Sequence, residues 1–392
     1  MSQDNNDNSG VRIAQDEVPW DEGQGADPGP WRDAWDYVET QERLQKEGRA
    51  LELREEQRAL IERGRALARE LAELDGRGDW TERVKPLGEL GWLQRPAPER
   101  RALLTYDGSC VLPMGKVGFF VGEGGIGKSW ALTQLAVSVV TGVPWLDTFS
   151  IPEGSQGGVL MAMGEEDPEE MHRRLRDVVE ALGLAAHHMS SLEKMLWPLP
   201  LAGHILEFLS EGNRSWDHEH FEQVLREAAP LGGWKLIVLD PASRFMGIDA
   251  EKDNAYATRF VQLLEQLTEL PGNPTVLCSH HTNKTSRMTA GQGNRAGAIR
   301  GASALVDGAR WQGNLSYHWP EDATEPDEGR AVFTVTKSNY GPKPEPVQLV
   351  RREGSGVLWP LHEGVEGAVA EVKRPVRPLG LQGRSVFQMD DL

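Results

Sequence analysis

Residues Gly122 to Ser129 read GEGGIGKS, which fits G-x-x-x-x-G-K-[ST]. The chemistry is phosphate binding. Glycines let the backbone curl so that its N–H groups surround an anion, and the N-terminus of a following helix adds a favourable dipole. The expected binding set is Gly122, Glu123, Gly124, Gly125, Ile126, Gly127, Lys128, Ser129 and Trp130. Lys128 would reach the β- and γ-phosphates of a nucleoside triphosphate, and the Ser129 hydroxyl would hold Mg²⁺.

Three further groups suit the same chemistry. Asp240 ends the apolar run KLIVL and is a candidate second Mg²⁺ contact. Glu165, Glu166 and Asp167 follow GGVLMAM, and one of them could activate the water that attacks the γ-phosphate. Spacing alone does not choose among them, because Asp167-Pro168-Glu169-Glu170 also makes a good first turn of a helix. Cys278-Ser279-His280-His281 closes another apolar run. A histidine there could sense the γ-phosphate; it could equally be a buried, hydrogen-bonded side chain, and no ligand cluster nearby argues for metal. The next segment, TNKTSRMTAGQGNRAGAIR, carries Lys284, Arg287, Arg295 and Arg300 with no acid and no aromatic. A basic loop of this kind suits contacts to a nucleic-acid backbone rather than base stacking.

The elements that must position these residues are legible as a pattern. Strands are expected at 117–121, 157–163, 234–240 and 274–280, with helices near 128–141, 168–182, 216–229 and 253–270. Strand–helix alternation implies parallel β-α-β units. RWQGNLSYHW and GRAVFTVTKSN flank the acidic stretch EDATEPDE and read as an antiparallel hairpin. The expected organisation is an acidic disordered tail (1–31), an amphipathic helical extension (32–76), a linker (77–104), an α/β P-loop core (105–362) and a flexible C-terminal tail (363–392). In the extension, Leu53, Leu60, Leu67 and Leu74 recur every seven residues, while Gly48 and Gly64 could break the helix in two.

Composition limits the alternatives. The 392-residue chain has 42 basic and 60 acidic residues, a formal charge of −18, so nucleic acid could bind only through a local basic feature. Cys110 and Cys278 are its two cysteines, too few for a disulfide framework or a cysteine zinc site. No apolar run approaches a membrane span and the N-terminus lacks a secretory pattern. A cytoplasmic protein with no membrane partner is expected.

The ordered set GEGGIGKS, GEEDP, IVLDPASRF, LCSHHTNK, IRGASALVDGARWQ and VTKSNYG, over about residues 110–360, resembles the RepA-type hexameric replicative helicases, which are RecA-like ring ATPases. The resemblance implies a RecA-like P-loop core with a mainly parallel sheet flanked by helices and a C-terminal β-hairpin, using ATP and Mg²⁺. It implies Lys128 and Ser129 on phosphates and Mg²⁺, Glu166 on the catalytic water, Asp240 as the Mg²⁺-linked carboxylate and His281 as the γ-phosphate sensor. Arg310, in GARWQ, matches the arginine finger that reaches a neighbouring subunit's nucleotide, with Arg300 and Lys337 as alternatives. Implied partners are further copies of the chain in a hexamer, single-stranded DNA on the 282–300 loop, and other replication proteins at the N-terminal helix or the tails. Here the chain departs from the family's minimal members by placing about 100 residues before the core. The competing reading is a nucleotide-switched assembly or regulatory ATPase that acts through protein partners.

Overall fold

The computed structural model describes residues 31–74, 84–210, 213–247, 254–281, 303–320, 323, 325–352 and 354–361. The chain divides into two units, Met1–Pro98 and Glu99–Leu392. In the first, α1 (Trp31–Leu74) is a single 44-residue helix and α2 (Leu87–Leu90) a single turn. The break allowed for at Gly48 or Gly64 does not occur. Each glycine costs about 1 kcal/mol relative to alanine, and the surrounding Ala, Leu, Glu and Arg residues favour helix strongly enough to continue through both. Leu44, Leu51, Leu53, Leu60 and Leu67 are exposed along it.

The second unit begins with the hairpin β1 (Ala102–Tyr106) and β2 (Ser109–Pro113), then β3 (Val117–Gly122) and α3 (Lys128–Thr141). There follow β4 (Gly158–Met163), α4 (Pro168–Leu182), α5 (Ala186–Met195) and β5 (Leu196–Pro200). The short pair β6 (Leu209–Ser210) and β7 (Asn213–Arg214) precedes α6 (Trp216–Glu227) and β8 (Trp234–Asp240). Then come α7 (Asn254–Leu267), β9 (Thr275–His281), α8 (Ser303–Gly308) and β10 (Trp311–His318). The antiparallel strands β11 (Asp327–Ser338), β12 (Val347–Arg351) and β13 (Leu358–Pro360) complete it.

Nine strands form one sheet in the order β13-β12-β11-β10-β3-β9-β8-β4-β5. From β10 to β5 the strands run parallel, and β11 to β13 are added antiparallel. The phosphate-loop strand β3 therefore has β9 and not β8 beside it, the strand order of a RecA-like core. The expected hairpin is β10–β11, paired from Trp311–Ser338 to His318–Asp327 with register shifts after Gln312 and after Tyr317. The hairpin β1–β2, α5, β5 and the last two strands have no counterpart in the sequence reading.

Helices cover both faces of the sheet, so the central strands are apolar throughout and side-chain alternation splits them between two cores. Phe120, Val159, Met161, Leu236, Val238 and Leu277 join the core around α3. Phe119, Val121, Leu160, Ile237, Leu239 and Cys278 join the one against α7. Helix α7 meets its core through Ala257, Phe260, Val261, Leu264 and Leu267, the spacing of one helical face. Along β9 the alternation continues past the apolar residues. Ser279 and His281 fall on the α3 side with Leu277, while His280 falls on the other with Cys278.

Candidate active site

Because β3, β9, β8 and β4 are parallel, their C-terminal ends meet at one sheet edge, where open α/β sheets bind ligands. Gly122 is in register with His281, and Met163 with Asp240. The phosphate loop leaves β3 at this edge. Gly125 and Gly127 have φ of +76° and +101°, a left-handed backbone that strains residues with a Cβ. Gly127 is also the N-cap of α3 and supplies no side-chain cap. The first-turn N–H groups, which have no carbonyl partner within the helix, stay available to an anion.

Lys128 is 6 % exposed. Its Nζ donates to Gly122 O at 3.0 Å and Glu123 O at 2.9 Å, and lies 3.2 Å from His281 Nδ1. With the ammonium donating, Nδ1 accepts, which leaves the imidazole proton on Nε2. Burial brings the Lys128 pKa down to about 8, against the opposing pull of Asp240, Glu165 and Glu123.

Asp240 is 5 % exposed. The Ser279 hydroxyl donates to its Oδ1. Its Oδ2 is buried and has no hydrogen-bond partner among the described residues. A buried carboxylate oxygen left unmet is costly, and a cation at that oxygen removes the cost.

The three acids after β4 separate by position. Asp167 caps α4, accepting from Glu170 N at 2.8 Å. Glu165 is half-exposed and lies 3.5 Å from Arg244, a solvent-screened contact of little energetic weight. Glu166 is mostly buried, with its Oε1 2.8 Å from Arg174 Nη2. That guanidinium also lies 3.4 Å from Glu170 and 5.2 Å from the Trp130 ring centre.

Arg310 stands apart from these groups. Its N–H bonds Val117 O at 3.0 Å, and Trp311 pairs with Gly118, so it sits where β3 begins. At ~3.3 Å per residue the phosphate loop is roughly 17 Å away along the strand. The exposed Arg310 side chain therefore has no access to the phosphate loop of its own chain. Lys337 shares this edge and donates to Asp307 O at 3.0 Å. The expected DNA contacts Lys284, Arg287, Arg295 and Arg300 lie outside the described residues.

Residues 81–287, more than half of the chain, match the family described as AAA domain. The chain belongs to the AAA-domain family. Two solved structures also resemble this AAA-domain protein. One is an ATPase domain, 12 % identical, with 63 % of this chain and 85 % of that chain covered and a TM-score of 0.44. The other, a DnaB-like replicative helicase studied for its interactions with primase, is 10 % identical with a TM-score of 0.42. That likeness covers 64 % of this chain and 59 % of the helicase chain. The RecA-like assignment rests on the strand order given above. No helix among the described residues is long and apolar enough to cross a membrane.

The residues of this AAA-domain protein fit a nucleotide with Mg²⁺. The glycine cradle and helix N-terminus suit phosphates, and the unmet Asp240 Oδ2 suits a hard cation. Among the described residues no cluster of histidine, cysteine and carboxylate forms a separate metal site.

The sequence reading missed Ser279, Arg174, Tyr317 and Arg351. Arg174 left a signal. It shares the buried face of α4 with Met171 and Val178, and a cation within an apolar stripe implies a buried partner. Ser279 was readable from strand alternation. Arg351, which donates to Gly125 O at 2.8 Å, and Tyr317, whose hydroxyl flanks Gly125, reach the phosphate loop from far along the chain and left none.

Proposed function

We propose that this protein is an ATP-hydrolysing, ring-forming motor on single-stranded DNA. It is a helicase or translocase of RepA type, serving replication of a plasmid, phage or other mobile element. The observation that carries the ATPase part is a buried Lys128 ammonium held by the phosphate-loop carbonyls, under the pull of a buried Asp240 carboxylate whose Oδ2 is unmet. Lys128 and the loop N–H groups would hold the phosphates, and Ser129 and Asp240 would hold Mg²⁺, which neutralises charge on the β- and γ-phosphates. Glu166 would take the proton of the attacking water, and His281, bound to Lys128, would register the γ-phosphate. A motor that couples hydrolysis to movement needs a second subunit at each site. The position of Arg310 at the far edge supports that arrangement, since only another chain's nucleotide is open to it. DNA contact is supported by the acid-free basic stretch 282–300.

The test is steady-state ATP hydrolysis with and without single-stranded DNA, with Lys128→Ala as the blank. The expected result is stimulation by DNA that is lost in the blank and in a Lys284, Arg287 and Arg295 to Ala variant. Hydrolysis indifferent to DNA would overturn the motor reading. It would favour the second reading, a nucleotide-switched assembly protein, for which the exposed leucines of α1 are the supporting observation.

A further inference from the structure

The strands β12 and β13 lie at the opposite end of the sheet order from β5, yet their hairpin is fastened to the phosphate loop and to the first turns of α3. Two of the fastenings are interior. Gln134 Nε2 donates to Leu358 O at 2.9 Å while its Oε1 accepts from Leu358 N at 3.0 Å. Gly356 lies so close to the Trp130 indole that a Cβ there would overlap the ring. These contacts suffice to dock the hairpin.

The third differs in kind. Arg351, the last residue of β12, is half-buried and donates from Nη2 to Gly125 O at 2.8 Å. Its guanidinium lies 3.7–3.8 Å from the place a Cβ on Gly127 would take. Tyr317 flanks the same loop, its hydroxyl 3.6 Å from the corresponding point on Gly125. Gly125 and Gly127 are the two left-handed residues that bend the cradle. A charged hydrogen bond to the Gly125 carbonyl fixes which way that peptide faces. It also brings a full positive charge to the rim of a site built for phosphates, where such bonds are about twice as strong as neutral ones.

We propose that Arg351 is a positioning residue for polyphosphate binding, supplied by the same chain that carries the phosphate loop. It holds the Gly125 peptide in its binding orientation and adds positive charge to the cradle beside Lys128. The inference deepens the ATPase reading above and rests on it. Its ligand class is the polyphosphate chain and not the base.

The experiment is calorimetric binding of MgATP, MgADP and inorganic tripolyphosphate to the full chain as wild type, Lys128→Ala, Arg351→Ala and Arg351→Lys. The expected result is that Arg351→Ala weakens all three ligands about tenfold or more, that Arg351→Lys recovers part of the loss, and that the nucleotide-free melting temperature is unchanged. If Arg351→Ala does not fold, Arg351→Gln, which keeps a donor for Gly125 but no charge, carries the same comparison. Wild-type affinity for all three ligands in the variant overturns the proposal. So does a loss for ATP and ADP with tripolyphosphate unchanged, which would put Arg351 on the nucleoside. Wild-type protein that is folded yet binds none of the three sinks the ATPase reading itself. Binding abolished only by Lys128→Ala counts against Arg351 alone.

Discussion

Nη2 of Arg174 lies 2.8 Å from Oε1 of Glu166. The same guanidinium sits over Trp130, the residue after Ser129, so the proposed base is tied through one side chain to the first turn of the phosphate-loop helix. Arg174 thereby fixes where the Glu166 carboxylate points. Glu166→Gln should lower kcat by roughly 10²–10⁴-fold, the range for loss of a general base, while ATP still binds. Arg174→Met should lower kcat by about tenfold with KM for ATP little changed, since it misplaces the base without touching the phosphates. Applied together, the two substitutions should cost no more than Glu166→Gln alone. Additive losses in steady-state kinetics would show that Arg174 acts elsewhere.

Asp240→Asn removes the buried charge and keeps the shape. Its Oδ2 has no hydrogen-bond partner among the described residues, while its charge attracts the buried Lys128 ammonium. The variant should therefore melt close to wild type, the lost attraction offset by the removed cost of burying the carboxylate. The difference between nucleotide binding with Mg²⁺ and with EDTA should shrink in the variant, which keeps only Ser129 for the ion. A Mg²⁺ dependence as large as that of the wild type would remove Asp240 from the ion's site.

Lys128 makes a pH prediction with a definite sign. Burial holds its pKa at about 8 without nucleotide, and bound phosphate must raise it, since anion and ammonium attract. Binding therefore takes up a proton above about pH 8, and affinity falls as pH rises through that value. Calorimetry in buffers of different ionisation enthalpy at pH 8.5 should detect uptake, and Lys128→Met should abolish it. Proton release, or none, contradicts the assignment.

Arg310 is exposed at the sheet edge opposite the phosphate loop. In a ring it would serve the neighbouring site, so Arg310→Ala and Lys128→Ala proteins should each be nearly inactive while a mixture recovers partial ATPase activity. The expected single-variant loss for Arg310→Ala is on the order of 10³-fold. A mixture no more active than its components would remove Arg310 from catalysis in trans.

Residue type and spacing were enough to read the phosphate loop, the parallel α/β class and the carboxylate after KLIVL. Each is a local statement: glycines where the chain must bend left-handed, apolar runs where both faces are covered, a charge at the end of such a run. The choice between the two adjacent histidines was also within reach, because Leu277, Ser279 and His281 alternate onto the α3 face with period two. Other features depend on distance through space. That Asp167 caps a helix while Glu166 meets Arg174 is decided by where α4 starts and how it packs on α3, which three consecutive acids cannot encode. Arg351 reaches Gly125 across 226 positions of sequence because three antiparallel strands extend the sheet and turn its end back onto α3. The position of Arg310 depends on the register of β10 on β3. Local pattern thus determines which elements form and what each can do, whereas strand order and register decide which of their side chains meet.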